Sequence, residues 1–183
     1  MPFILESRRR KNKTLNKRYP EATIIDLTSR AHKPWVKFSP FYLHGGIPVP
    51  NTPGVTAMSV EGVWQGLKVF KKEGIDLSRF ELKQMRGVKR TTKTHGPVLG
   101  HQAGVRDQTL LNYVAARKQI YLPTYKWILD NKLQPELQEL RRLSDEGDVV
   151  LLDYETNADI NNVNHPLSHA SLVIKWIEGN WPE

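Results

Sequence analysis

Between Ser59 and Phe70 the apolar residues Val60, Val63, Trp64 and Leu67 fall at i, i+3, i+4 and i+7. This spacing predicts one apolar face of an amphipathic helix, against which a core must form. Glu61, Gln65 and Lys68 repeat the i, i+4, i+7 spacing one residue further on. At about 100° per residue these three polar side chains share a sector of roughly 60°, beside the apolar stripe rather than opposite it. A carboxylate, an amide and an amine at the rim of a packed helix have two uses. They form the wall of a cleft, where burial tunes their pKa values for chemistry, or a solvated helix face with an i,i+4 polar pair.

A chain of 183 residues fits one domain and buries a core without metal or disulfide staples. Cysteine is absent, which excludes disulfides, thiolate metal sites and a cysteine nucleophile, and allows an intracellular compartment. A four-residue apolar run, Pro2 to Leu5, precedes the first charges, and no later run approaches a membrane span. The reading is a cytoplasmic protein without a membrane partner. The net charge of +8 is concentrated: Arg8, Arg9, Arg10, Lys11, Lys13, Lys17 and Arg18 account for seven of it, leaving +1 for the rest. Residues 1–20 therefore read as a basic arm ahead of a nearly neutral domain at 21–183. Such an arm suits contact with nucleic acid through Arg8, Arg9, Arg10 and Lys11, or is a solvated terminus.

Along the domain, Ala22–Thr28 is β-branched and apolar, a strand. Leu43–Pro50 carries two glycines and two prolines, a shaped loop able to expose amides or to place Tyr42 and His44 over a pocket. Ile75–Arg86 reads as a second helix with Asp76 or Ser78 as its cap. From Arg86 to Gly104 cations alternate with threonines and then glycines, without Walker A or G-x-G-x-x-G spacing. Arg86, Lys89 and Arg90 are candidate phosphate ligands there. Gln108–Asn131 is helical on both sides of Pro123, which is expected to split or kink it. Asp148–Asp153 is a buried strand, followed by Glu155 and Asp159 in a turn-rich segment. Asn164–Gly179 ends the chain as a helix, with Ser168 near an exposed N-terminus. His165 and His169 lie four apart without an H-E-x-x-H pattern, so no metal site is assigned. Several helices with separated short strands predict an α+β fold, mainly helical with a small sheet.

In this order, several of these pieces resemble the NADAR family. Phe38-Ser-Pro-Phe-Tyr42 resembles its aromatic FSNFY-like entry, and Val60-Glu-Gly-Val-Trp-Gln-Gly-Leu-Lys68 its v-E-h-x-x-Q-x-x-K helix. The later blocks, up to Gly179, correspond more loosely. The family helix commonly has histidine after the glutamate, where this chain has Gly62. The family pattern has a Trp-Gly pair after the acid, missing here after Asp159, and an asparagine-containing turn where this chain has Pro166–His169.

The resemblance implies an N-glycosidase acting on a ribosyl C–N bond in an ADP-ribose-type or ribosylamino-phosphate substrate, without a cofactor. Removal of ADP-ribose from nucleic-acid bases is one version of that reaction. Cleavage develops oxocarbenium character at C1. Glu61 would stabilise that charge or activate water, with Asp159 as a second acid/base group. Lys68 would orient a sugar hydroxyl or attack C1 and form a Schiff base. Trp64 would pack beneath the site and Gln65 line it, while Phe41, Tyr42, Gly45 and Gly46 contact base or ribose. Arg86, Lys89 and Arg90 would hold phosphate, and Ser168 an anionic group. Two other readings stand beside this one: a non-enzymatic nucleic-acid-binding module, and an ADP-ribose reader without catalysis.

Overall fold

The computed structural model describes residues 3–182. Its strands are β1 (Phe3–Ser7), β2 (Thr23–Asp26), β3 (Ile47–Pro48), β4 (Thr56–Ala57), β5 (Lys68–Phe70), β6 (Val98–Gln102), β7 (Leu110–Leu111) and β8 (Val149–Asp153). Its α-helices are α1 (Asn12–Arg18), α2 (Val60–Gly66), α3 (Thr92–His95), α4 (Tyr113–Ala116), α5 (Leu122–Lys132), α6 (Gln134–Glu146) and α7 (His169–Ile177). The fold is α+β, with helices packed on small separate sheets. The chain divides into two compact units: one comprises the chain up to Ser39 and from Leu129 onward, the other Pro40–Ile128. Among the described residues no helix is long and apolar enough to cross a membrane.

In the first unit the apolar run Val149–Leu152 becomes β8, the middle strand of a parallel β1-β8-β2 sheet. A central strand is covered on both faces, which is why it reads as continuous apolar sequence rather than alternation. Its residues are all buried. Val150 and Leu152 meet Leu15 of α1, with Ile4, Tyr19, Ala22 and Ile24 around them. Side chains alternate along a strand, so Val149, Leu151 and Asp153 point to the other face. There the Asp153 carboxylate accepts from the Ser168 hydroxyl at 2.8 Å and lies 3.0 Å from Nδ1 of His169, tying the start of α7 to the end of β8.

The segment expected as a basic arm is part of this sheet. Met1 and Pro2 lie outside the described residues, but Phe3–Ser7 pairs with β8 in parallel register, from Phe3 opposite Val149 to Ser7 opposite Asp153. The α1 helix then buries Leu15. The charge count hid this, because the apolar run Phe3–Leu5 is short and Leu15 stands alone among the cations. The four arginines are also matched to acids: Arg8 donates to Asp26 at 2.5 Å, Arg9 to Glu155 at 3.2 Å, and Arg10 and Arg18 meet Glu6 at 2.6 and 3.4 Å. Lys11 is exposed.

In the second unit, α2 is buried along its whole length. The other helical expectations here shorten. Ile75–Arg86 yields only a 3-10 turn, Leu77–Glu81, capped by Asp76 as its side chain accepts from the Ser78 amide. Phe80 is its one buried side chain, so the segment has no apolar stripe to extend a helix. Pro123 neither breaks nor ends its run. A π-helical turn, Arg117–Tyr121, joins α4 directly to α5, and the run passes through Pro123 with that turn immediately before it, a local change of helical pitch where an N–H is missing.

Candidate functional site

The site residues gather around α2, and both ends of that helix show how. At its N-terminus Ser59 caps the Gly62 amide at 3.0 Å, and the Glu61 amide donates to the Pro40 carbonyl at 2.8 Å. The following loop returns to the helix start, where the Gly45 amide donates to the Met58 carbonyl at 3.0 Å. Gly45 and Gly46 sit at φ +69° and +66°, the left-handed region that a side chain disfavours. The loop carrying Phe41 and Tyr42 is thus fastened at both ends beside Glu61. The Phe41 ring lies 5.5 Å from Nζ of Lys89, and the Tyr42 ring 4.8 Å from that of His44.

At its C-terminus α2 stops at Gly66, two residues before Lys68, contrary to the expectation of one helix through Phe70. The carbonyls left over at a helix end need donors: the Asp76 amide takes that of Gly66 at 2.8 Å, and the guanidinium of Arg90 takes that of Gln65. Arg90 donates Nη1 to the carbonyls of Gln65 (3.2 Å) and Lys68 (2.7 Å) and Nη2 to that of Gly74 (2.7 Å), and meets Glu73 at 3.2 Å. The Gln102 amide takes the Leu67 carbonyl at 2.8 Å. Lys68 therefore begins β5, paired opposite His101 of β6.

Glu61 is 8% exposed, and Nε2 of Gln65 donates to its Oε1 at 2.9 Å. The Gln65 oxygen in turn accepts from the Arg90 amide at 3.0 Å, which fixes the amide orientation. Lys68 is half-buried. Burial pushes its pKa below the ordinary lysine value; the Glu61 charge opposes this, while Lys89 and Arg90 add to it. Trp64 lies beneath, its ring 6.0 Å from the Lys68 nitrogen and 3.8 Å, centroid to centroid, from His101. The edges of Tyr113 and Tyr121 close around it at 5.8 and 5.7 Å. Trp64 is thus a buried floor and not a stacking platform. Arg117, at the start of the π-helical turn, lies 4.5 Å over the Tyr113 ring.

A family model, described as a family of unknown function (DUF6939), matches residues 7–173. The chain belongs to the DUF6939 family. No curated protein matches it.

Of the predicted site residues in this DUF6939 chain, the second unit holds Glu61, Gln65, Trp64, Lys68, Phe41, Tyr42, Gly45, Gly46, Arg86, Lys89 and Arg90. Glu61, Gln65, Trp64 and Lys68 come together as described. Arg90 is a correction: its side chain is 0% exposed and committed to carbonyls and Glu73, so it builds the site's frame and does not hold phosphate. Lys89 and Arg86 are exposed. Asp159 and Ser168 belong to the first unit. Asp159 is exposed in a turn, accepting from the Asn161 amide at 2.9 Å. Ser168 is fully buried, donating to Asp153 and accepting from the Ser171 amide as the cap of α7, so the expected exposed anion site is a closed helix start. Among the described residues no group of three or more His, Asp or Glu side chains is placed to hold a metal ion.

The sequence reading missed His101, Tyr113 and Tyr121 as neighbours of Trp64, and Arg117 over the Tyr113 ring. The first sits in Val98-Leu-Gly-His-Gln102, which nothing marks as opposite Lys68 until β5 and β6 pair.

Proposed function

We propose that the chain hydrolyses a ribosyl C–N bond in a phosphorylated substrate of ADP-ribose or ribosylamino-phosphate type, a class that includes ADP-ribosylated nucleic-acid bases. The observation that carries this reading is the Glu61–Gln65 pair at 2.9 Å, buried and oriented on α2, whose carboxylate acts on the desolvated amine of Lys68 at the start of β5. A fixed carboxylate in a low-dielectric setting is what a developing oxocarbenium ion needs. The NADAR-like motif supports the same pair.

In this scheme Glu61 takes a proton from water as the water oxygen bonds to C1. The C1–N bond breaks, and its electron pair leaves with the base. Lys68 orients a ribose hydroxyl as the cation. In a second route it attacks C1 as the neutral amine and holds the opened sugar as a Schiff base until water releases it. Lys89, exposed over Phe41, is the phosphate ligand, with Phe41 and Tyr42 toward base or ribose. An intracellular setting fits the cysteine-free sequence.

The test is a mass-spectrometric turnover assay of the wild type, Glu61→Gln and Lys68→Ala. The substrates are ADP-ribose, ADP-ribosylated nucleic acid, NAD and ribosylamino-pyrimidine phosphates. Wild type is expected to release base or ribosyl product, and Glu61→Gln to lose about 10²- to 10⁴-fold in rate, the usual worth of a positioned acid/base group. Full activity of folded Glu61→Gln overturns the assignment. Ligand retained intact by the wild type identifies a reader, and salt-dependent polymer binding with no turnover a nucleic-acid module.

A further inference from the structure

His101 is 0% exposed, and neither of its ring nitrogens has a hydrogen-bond partner among the described residues. An unmet buried polar group is destabilising. An apolar ring would stack on Trp64 equally well and avoid that cost, so packing alone does not account for an imidazole here. Burial, and next the charge of Lys68, push its pKa down to about 3, so the ring is neutral over any working range. A neutral imidazole always offers one lone pair.

The register of the sheet says what that lone pair faces. Lys68 and His101 stand directly opposite each other on β5 and β6. Side chains of such a pair leave the same face, with Cβ atoms about 4.5–5.5 Å apart. Both residues also rest against Trp64, whose ring is 3.8 Å from the imidazole and 6.0 Å from the Lys68 nitrogen. No atom of His101 reaches solvent, so a ligand entering the site meets Lys68 and not the imidazole. The other charged groups acting on Lys68 are Glu61 on α2 and Lys89 and Arg90 ahead of α3. Glu61 is already engaged by Gln65, and the two cations repel.

We propose that His101 is a positioning residue for Lys68: its ring nitrogen accepts a hydrogen bond from the Lys68 ammonium when the flexible stem folds back over Trp64. This fixes the direction of the amine at the site. It opposes the loss of the Lys68 proton that burial favours, so that Lys68 serves first as the orienting cation. The inference rests on the reading of Lys68 as a working group of the site, but it is tested without substrate.

The experiment is reductive methylation of the folded protein with formaldehyde and a borane, from pH 6 to 11, with modification at Lys68 followed by peptide mass spectrometry. His101→Phe keeps the ring and removes the acceptor. It is expected to move the Lys68 midpoint down by roughly one pH unit, the scale of a hydrogen bond to a charged group. His101→Gln, which restores an acceptor oxygen, is expected to return it. An unchanged midpoint in folded His101→Phe overturns the proposal.

A second measurement needs no substitution at His101. The ¹⁵N shifts of its ring in the wild type are expected to change with the Lys68 midpoint and to lose that transition in Lys68→Met. Flat shifts in the wild type, or the same transition in both, overturn it. Absence of turnover in the glycosidase assay leaves these readouts intact, so the two ideas fail separately.

Discussion

A Cβ placed on Gly62 would stand 2.6 Å from the carbonyl oxygen of Arg79 and 3.1 Å from the capping Oγ of Ser59. Neither neighbour yields cheaply, since one is backbone and the other holds the helix start. Gly62→Ala is expected to destabilise the fold by about 1–3 kcal/mol, the range for forcing a methyl into a packed site, read as a fall in the urea midpoint at unchanged slope. An unchanged midpoint would mean that the Leu77–Glu81 turn shifts freely. The same contact explains why glycine follows Glu61 where the resembling family pattern has histidine. The carboxylate and its Gln65 partner stand on the helix, while the adjoining position is closed to any side chain.

At the scale of elements, the join between β8 and α7 rests on a buried charge pair. Burial raises the Asp153 pKa, but His169, the Ser168 hydroxyl and the Ala170 amide more than offset it, and the net direction is down. Burial works against the His169 cation, yet Asp153 and the Leu27 carbonyl carry its pKa up. A lowered carboxylate contributes stability above its unfolded value near 4, lost as pH falls through the folded value. A raised histidine contributes below its unfolded value near 6.5, lost as pH rises through the folded one. Stability is therefore expected to be greatest between about pH 4 and 6.5 and to decline on both sides, checked by thermal melts across pH. Asp153→Asn is expected to cost about 3–5 kcal/mol, as for a buried pair losing one partner, and to flatten that profile. A profile that keeps its shape in Asp153→Asn would assign the pH dependence to other groups.

Across the whole molecule, the cationic N-terminal stretch has structural work. β1 supplies one of the two neighbours of β8, and Leu15 covers Val150 and Leu152. Removal of residues 1–18 is expected to unfold the first unit, with lost far-UV ellipticity and a collapsed melting transition. A truncated chain that melts like the parent would restore the picture of a detachable arm. The pairs Arg8–Asp26, Arg9–Glu155 and Arg10–Glu6 are partly exposed and add little stability. They do engage three of the four side chains offered to nucleic acid, Arg8, Arg9 and Arg10.

What the sequence determined by itself is local: the apolar period of α2, the continuous run of β8, the cap at Asp76, and a carboxylate and amide four residues apart on one helix face. Each follows from residue type and spacing alone. Tertiary structure decided where those pieces stop and what they face. Arg90 takes the Gln65 carbonyl near the end of α2 and that of Lys68 beyond it, and Lys68 stands on a strand opposite His101 rather than on the helix. The parallel pairing of β1 with β8 turns a charged terminus into sheet. Hydrogen bonds between residues 22 to 146 positions apart leave no period in the sequence, because their partners meet only once the chain has folded.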